Sequence, residues 1–104
     1  MNAEELKGHL DGLILAVVSR EPMHGYAVIE SLKAQSGGEL ALPEGTVYPA
    51  LHRLEADGFL SSRWSVVGGR RRRVYSITKR GTKKLEGSRE RWRAFANTIE
   101  AVLT

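Results

Sequence analysis

The apolar pattern of this chain leaves a helical period for a period of two at Gly58. Before it, in GTVYPALHRLEADGFL (Gly45–Leu60), Val47, Leu51 and Leu54 recur at i, i+4 and i+7, one stripe of a helix. Gly58 stands where a left-handed helix-ending residue belongs, and Phe59 and Leu60 resume apolar burial after the stop. After it the period is two. In SSRWSVV, Trp64 and Val66 point one way and Arg63 and Ser65 the other; in RRRVYSIT, Arg73, Tyr75 and Ile77 alternate with Arg72, Val74 and Ser76. Gly68-Gly69 between the two runs supplies the positive φ that a tight hairpin needs. An isolated two-stranded ribbon is marginal in water. Tyr75 and Ile77 are therefore expected to pack on helices, leaving the glycine tip and its arginines projecting.

Two more helices precede this unit. Met1–His9 can be a frayed first turn or a short arm. Leu10, Leu13, Ile14 and Val17, thickened by Leu15 and Val18, predict a first helix over Asp11–Ser19. Apolar groups cover most of its circumference, which places it near the centre of the domain. Arg20-Glu21-Pro22 breaks it. Tyr26, Ile29 and Leu32 line a second helix from about His24 to Gln35, ended by Ser36-Gly37-Gly38. Tyr26 is expected mostly in the core with its hydroxyl exposed. Glu39–Leu42 (ELAL) reads as a connector, or as one extended strand beside the hairpin. The third helix starts between Pro43 and Thr46. Begun at Pro43 it would be kinked by Pro49 in its second turn; begun near Thr46 it would hold Pro49 in its first turn, where the missing N–H costs little. Its face opposite the apolar stripe carries Thr46, Pro49, His52 and Arg53.

The chain closes on one long helix. Thr78 can cap it, and Leu85, Trp92, Phe95 or Ala96, Ile99, and Val102 or Leu103 recur at spacings of three, four and seven. About 25 residues at 1.5 Å each give roughly 37 Å, too long for its far half to rest on the preceding core. An apolar stripe without a partner in its own chain finds one in another copy.

A length of 104 residues supports one domain with one modest core. Cysteine is absent, which excludes disulfides and thiolate metal sites. No signal-peptide pattern is visible, and the longest apolar run, Leu13–Val18, cannot span a membrane. A soluble cytoplasmic protein without membrane partners is the expectation. The charge is unevenly placed. Met1–His52 carries three basic and seven acidic side chains, a balance of −4; Arg53–Thr104 carries thirteen and five, a balance of +8. A basic second half points to a polyanion, although a solvated basic surface would look the same. Enzyme chemistry has little support. There is no cysteine nucleophile and no glycine-rich phosphate loop, and the three histidines lack evident carboxylate partners. His9, His24 and His52 also lack ligand spacing, so His24 reads as a cap or surface residue, not a metal ligand. No cofactor is implied.

Three helices followed by a two-stranded hairpin is the order of a winged helix-turn-helix. The fold expected is mainly α with a small β-hairpin, the third helix entering the major groove and the hairpin tip reaching phosphates or the adjoining minor groove. Arg70, Arg71, Arg72 and Arg73 stand beside Gly68-Gly69. Four consecutive cations repel one another. A polyphosphate relieves that repulsion, and released counterions drive the association. Alternation puts the four on both sides of the ribbon, so two per wing would touch DNA at once. A solubilising tip is the plainer alternative.

Three segments, HGYAVIESL, GTVYPALHRLEADGFL and GGRRRRVYSITKRG, look like successive signatures of PadR-like transcriptional regulators. The resemblance covers roughly Leu10–Leu85, in the family's order and spacing. It implies a winged-helix DNA-binding domain (residues 1–78), a C-terminal dimerisation helix (residues 79–104), and repression relieved by a small molecule. The single closing helix resembles the family's short-chain branch. Position by position, Thr46, Tyr48, Pro49, His52 and Arg53 fall on the recognition helix. Gly68, Gly69 and Arg70 to Arg73 fall on the wing, with Tyr75 on its returning strand. Gly25-Tyr26 falls at the start of the preceding helix, where Gly25 suits close packing.

Several of these residues keep two readings. Tyr48 can pack under the recognition helix or donate its hydroxyl to a phosphate. Trp64 reads as strand packing before nucleic-acid contact. His52 can meet a base edge or phosphate, or simply be exposed. In a symmetric dimer the closing helices would pair through Leu85, Trp92, Phe95, Ala96, Ile99, Val102 and Leu103, bringing each Trp92 near its counterpart. Two indoles could then stack on a small planar aromatic effector, and flanking Arg89, Arg91 and Arg93 would favour an anionic one. Interface core alone is the other reading of Trp92. The function expected is a homodimeric repressor of DNA with two half-sites about 34–36 Å apart. The rival is a protein-interaction module on a winged-helix scaffold, its arginines set against an acidic protein.

Overall fold

A computed structural model describes Leu6 and residues 8–104. The arm or frayed turn expected over Met1–His9 lies largely outside the described residues. Among those described, the elements run α1 (Leu10–Arg20), β1 (Met23–His24), α2 (Gly25–Gln35), α3 (Glu44–Ala56), β2 (Leu60–Val67), β3 (Arg70–Ile77) and α4 (Lys79–Leu103). The strands form one antiparallel sheet in the order β1-β3-β2. This is the winged-helix architecture with a long closing helix, and α1 and α2 match their sequence expectations to within one residue at each end.

Helix α1 is central. Ile14 and Leu15 are fully buried, meeting Val28 and Leu32 of α2, Val47, Leu51 and Leu54 of α3, Leu60 and Tyr75 of the sheet, and Leu85 of α4 in one core. No polar or charged side chain is buried among the described residues. The core is thus wholly apolar, and side-chain charge is left to the surface.

The hinge between α3 and the ribbon forms as the glycine predicts. Gly58 has φ +81°. Its N–H donates to the Glu55 carbonyl (3.0 Å) and that of Phe59 to the Leu54 carbonyl (2.9 Å), satisfying two carbonyls the helix leaves open. Thr78 then ties both ends together. Its hydroxyl donates to the Gly58 carbonyl (2.7 Å) and accepts from the Gly81 N–H (3.0 Å), capping α4 against the end of α3. At the other end of the ribbon Gly68 and Gly69 have φ +58° and +77°, closing a two-residue turn that sets Val67 opposite Arg70.

Two points left open by the sequence resolve here. Glu39–Leu42 forms no strand. The Ser36 hydroxyl accepts from the Leu40 N–H at 2.8 Å, so a donor the sheet edge would need is met locally. The place beside the hairpin goes instead to Met23 and His24, opposite Tyr75 and Val74, because Pro22 turns the chain out of helix just before them. Helix α3 starts at Glu44, with Pro43 as its cap, and runs through Pro49 unbroken. Pro49 cannot donate to the Gly45 carbonyl, which leaves an acceptor in the exposed first turns.

Helix α4 begins inside the same core. Leu85 is 3% exposed, and Gly81 approaches the ribbon so closely that a Cβ there would lie 2.0 Å from the Phe59 carbonyl oxygen. Farther along, from Arg89 onward, most side chains are exposed, and the molecule reaches 52 Å along its longest axis.

Candidate nucleic-acid interface

Helix α3 shows solvent the face opposite its buried stripe. Pro49 and His52 are exposed, and Thr46 and Tyr48 half-buried. Tyr48 is held from beneath. Its ring lies over Gly25, where a Cβ would fall 2.2 Å from the ring's Cε1. Gly25 therefore serves close packing, and it fixes the direction in which the Tyr48 hydroxyl leaves the body. Tyr26, expected mostly in the core, is 47% exposed. It stands on the second residue of α2, outside that helix's buried Gly25–Val28–Leu32 stripe.

Arg53 is on the same helix but is engaged elsewhere. Its two terminal nitrogens donate to both Asp11 carboxylate oxygens at 2.9 Å each. A bidentate pair of this kind is directional, and it ties α3 to the first turn of α1. The sequence could not suggest it, because the partners are 42 positions apart.

The wing has two different faces. Trp64 lies opposite Arg73, and Val66 opposite Arg71, on the face turned toward α3; Ser65 pairs with Arg72 and Val67 with Arg70 on the other. Trp64 is 53% exposed, so it is not the strand-packing residue expected. Its ring carries the guanidiniums of Arg71 at 4.6 Å and Arg73 at 5.4 Å, a cation–π arrangement worth of order 0.5–1 kcal/mol each when exposed. Trp64 and Arg73, with His52, Glu55 and Ala56 of α3, line one open cleft. Helix α3 and the wing therefore open toward the same space.

Arg73 is braced within that cleft. Its Nε donates to the Ser62 hydroxyl at 2.6 Å, and one terminal nitrogen lies 3.5 Å from the Glu55 carboxylate, to which Ser62 also donates. Among the described residues, Arg70, Arg71 and Arg72 make no ion pair with a carboxylate. Sequence reasoning missed Glu55 and Ser62, and weighed Trp64 as strand packing first. Counting outward from Gly68-Gly69 would have placed Trp64 opposite Arg73, but nothing local points from either to Glu55.

Tyr75 is 2% exposed and belongs to the core; burial, chiefly, pushes its phenol above the ordinary tyrosine range. It offers no surface to DNA. His24 caps α2, its Nδ1 accepting from the Ala27 N–H at 3.3 Å. Burial, then the nearby Arg72 charge, hold its imidazole below the ordinary range.

On α4, Leu85 is enclosed by its own chain and offers no surface to a second copy. Trp92, Phe95, Ile99, Val102 and Leu103 are all exposed, and Ala96 half-buried. His9 meets the Trp92 ring edge-on with centroids 5.6 Å apart, and Phe95 lies 5.8 Å away on the other turn. No helix among the described residues is long and apolar enough to cross a membrane.

Comparison with known proteins agrees with this arrangement. The model of the transcriptional regulator PadR-like family matches residues 14–87. Transcriptional regulator Rv3488 of Mycobacterium tuberculosis is 49% identical over 55 residues, 53% of this chain and 51% of that protein, so the match spans about half of that relative's length. The crystal structure of a PadR-like transcriptional regulator from Bacillus cereus superposes with a TM-score of 0.86 at 28% identity, over 98% of both chains. That of a PadR family transcriptional regulator from Eggerthella lenta does so with 0.81 at 32% identity, over 96% of this chain and 86% of the other. The match runs from the middle of α1, through α3 and the arginine-tipped ribbon, into the buried start of α4, and on it this chain belongs to the PadR-like family of transcriptional regulators.

Proposed function

We propose that the protein works as a homodimeric repressor that reads two half-sites of duplex DNA. Thr46, Tyr48, Pro49 and His52 of α3 enter the major groove. The wing lays Gly68, Gly69, Arg70, Arg71 and Arg72 along the neighbouring phosphates. Arg53 and Arg73, each tied to a carboxylate, and the buried Tyr75 stand outside this contact set. One observation carries the reading: the exposed face of α3 and the wing bound one open cleft, lined by His52, Trp64 and Arg73, beside arginines with no acidic partner among the described residues. A protein that crosses phosphates needs uncompensated cations beside a groove-sized element.

Residues 1–78 would then be the reading unit and 79–104 the dimerising one, pairing through Trp92, Phe95, Ala96, Ile99, Val102 and Leu103 about a two-fold axis. A small planar aromatic guest between paired Trp92 rings is the effector we assign, released DNA its consequence.

The test is a gel shift against the protein's own upstream region, with and without Arg71→Ala plus Arg72→Ala. The double variant should bind specific and random duplex more weakly, and each lost phosphate contact should flatten log K against log salt by about 0.9. Unchanged affinity and slope would remove the wing from the interface, and no shift at all would favour an acidic protein partner.

A further inference from the structure

The four wing arginines are consecutive, yet they are not equivalent. Arg73 alone among them has a carboxylate, Glu55 of α3, and a hydroxyl, Ser62, as partners. It also leans on the Trp64 ring. We infer that Glu55 sets the wing's affinity for phosphate: it retains Arg73 on the protein and so keeps one cation out of the phosphate-contacting set. The inference rests on the DNA-binding reading above.

The argument is electrostatic. A lone surface ion pair is weak, and on its own a phosphate would compete for Arg73. Here the competition has a second cost. If Arg73 left for DNA, the Glu55 carboxylate would stay in the cleft that the duplex approaches, uncompensated and facing like charge. Ser62 raises that cost, since it links the same two groups and holds the guanidinium at a fixed place. Arg71 has no such tie beyond the Trp64 ring. Sequence-independent binding depends almost wholly on the number of phosphates neutralised, whereas specific binding also draws on groove contacts. Withholding one cation therefore lowers specific and random affinity by the same factor, and what it sets is the overall affinity and its salt dependence. A further consequence is geometric: the brace joins wing to recognition helix, so Arg71 and Trp64 meet the duplex from a fixed angle.

A purely structural brace and a charge-withholding one differ in sign. Removing a structural brace weakens binding. Removing a withholding one strengthens it on random DNA. Glu55→Gln keeps the shape and an acceptor for Ser62 but removes the charge. With random duplex, E55Q should steepen the salt slope by up to about 0.9, roughly a threefold larger loss of affinity between 50 and 200 mM salt. Its affinity for specific and for random duplex should rise by similar factors, leaving their ratio unchanged. Arg73→Ala alone, which bares Glu55 to the duplex, should weaken binding to specific and random duplex alike, and Arg71→Ala should flatten the slope. The double variant E55Q plus R73A should lose the steepening.

An unchanged or shallower slope in E55Q, or a steepening that persists in E55Q plus R73A, overturns the inference while leaving DNA binding in place. Absence of duplex binding by the native protein overturns both readings together. Should E55Q fail to fold by circular dichroism, Glu55→Ala, at the same half-buried position, is measured in its place against the same outcomes.

Discussion

The two halves of α4 carry one apolar stripe and put it to opposite uses. In the first half Leu85 is enclosed and Gly81 touches the ribbon's backbone. In the second, Trp92 is 51% exposed and Phe95, Ile99, Val102 and Leu103 stand bare beside it. Spacing and residue type hardly differ. What differs is whether the body of the protein reaches that far. α1 lies alongside the start of α4, and α1 begins at Leu10, just after the turn at Gly8-His9. Past the His9–Trp92 contact, the described residues offer nothing for the stripe to pack on. Periodicity reports that a face will be buried; only the length of the neighbouring elements says by whom.

The comparison breaks most readily at Leu85. Leu85→Ala removes a core side chain and should cost about 2–5 kcal/mol of unfolding free energy, read by denaturant melts at any protein concentration. Phe95→Glu should do something different. It leaves the protomer core alone, so stability in dilute solution should stay within about 0.5 kcal/mol. On the dimer proposed above, the mass by light scattering should fall from dimer to monomer, and a melting point that rises with concentration in the native protein should become flat. If Phe95→Glu destabilised a dilute sample as Leu85→Ala does, or left the mass unchanged, the two halves would not be distinct.

The same contrast explains what could be read from residues alone. Local devices were legible. The Gly58 stop, the Gly68-Gly69 turn and the Thr78 cap each depend on neighbours within a few positions, and each forms in the structure. β1 was not legible, because two residues, Met23 and His24, carry no period. Nor was the engagement of Arg53 with Asp11 or of Arg73 with Glu55. A run of arginines advertises positive charge, but which of them remain available depends on acids brought in by other helices. For the same reason Leu85 and Tyr75 could be grouped with contact residues they do not resemble in space. Their spacing matches the stripe or strand, and burial is set by the whole fold.

The smallest expected effect lies at the start of α2 and sharpens the comparison from the protomer's side. His24 must keep Nδ1 unprotonated to accept from Ala27, and burial followed by Arg72 holds its pKa below the ordinary 6.5. In the unfolded chain that constraint is gone. As pH falls below about 6.5 the unfolded state takes up a proton the folded state resists, so unfolding is favoured. The contribution is fully present above that value and is lost as pH descends through the folded pKa. The melting temperature should therefore drop between about pH 7 and pH 5. His24→Asn preserves a capping acceptor without a titrating group, and should remove part of that drop. Since the cap lies within one protomer, the part removed should be the same in dilute and concentrated samples, unlike the response of Phe95→Glu. An H24N profile parallel to the native one would show that the cap does not govern stability in this range.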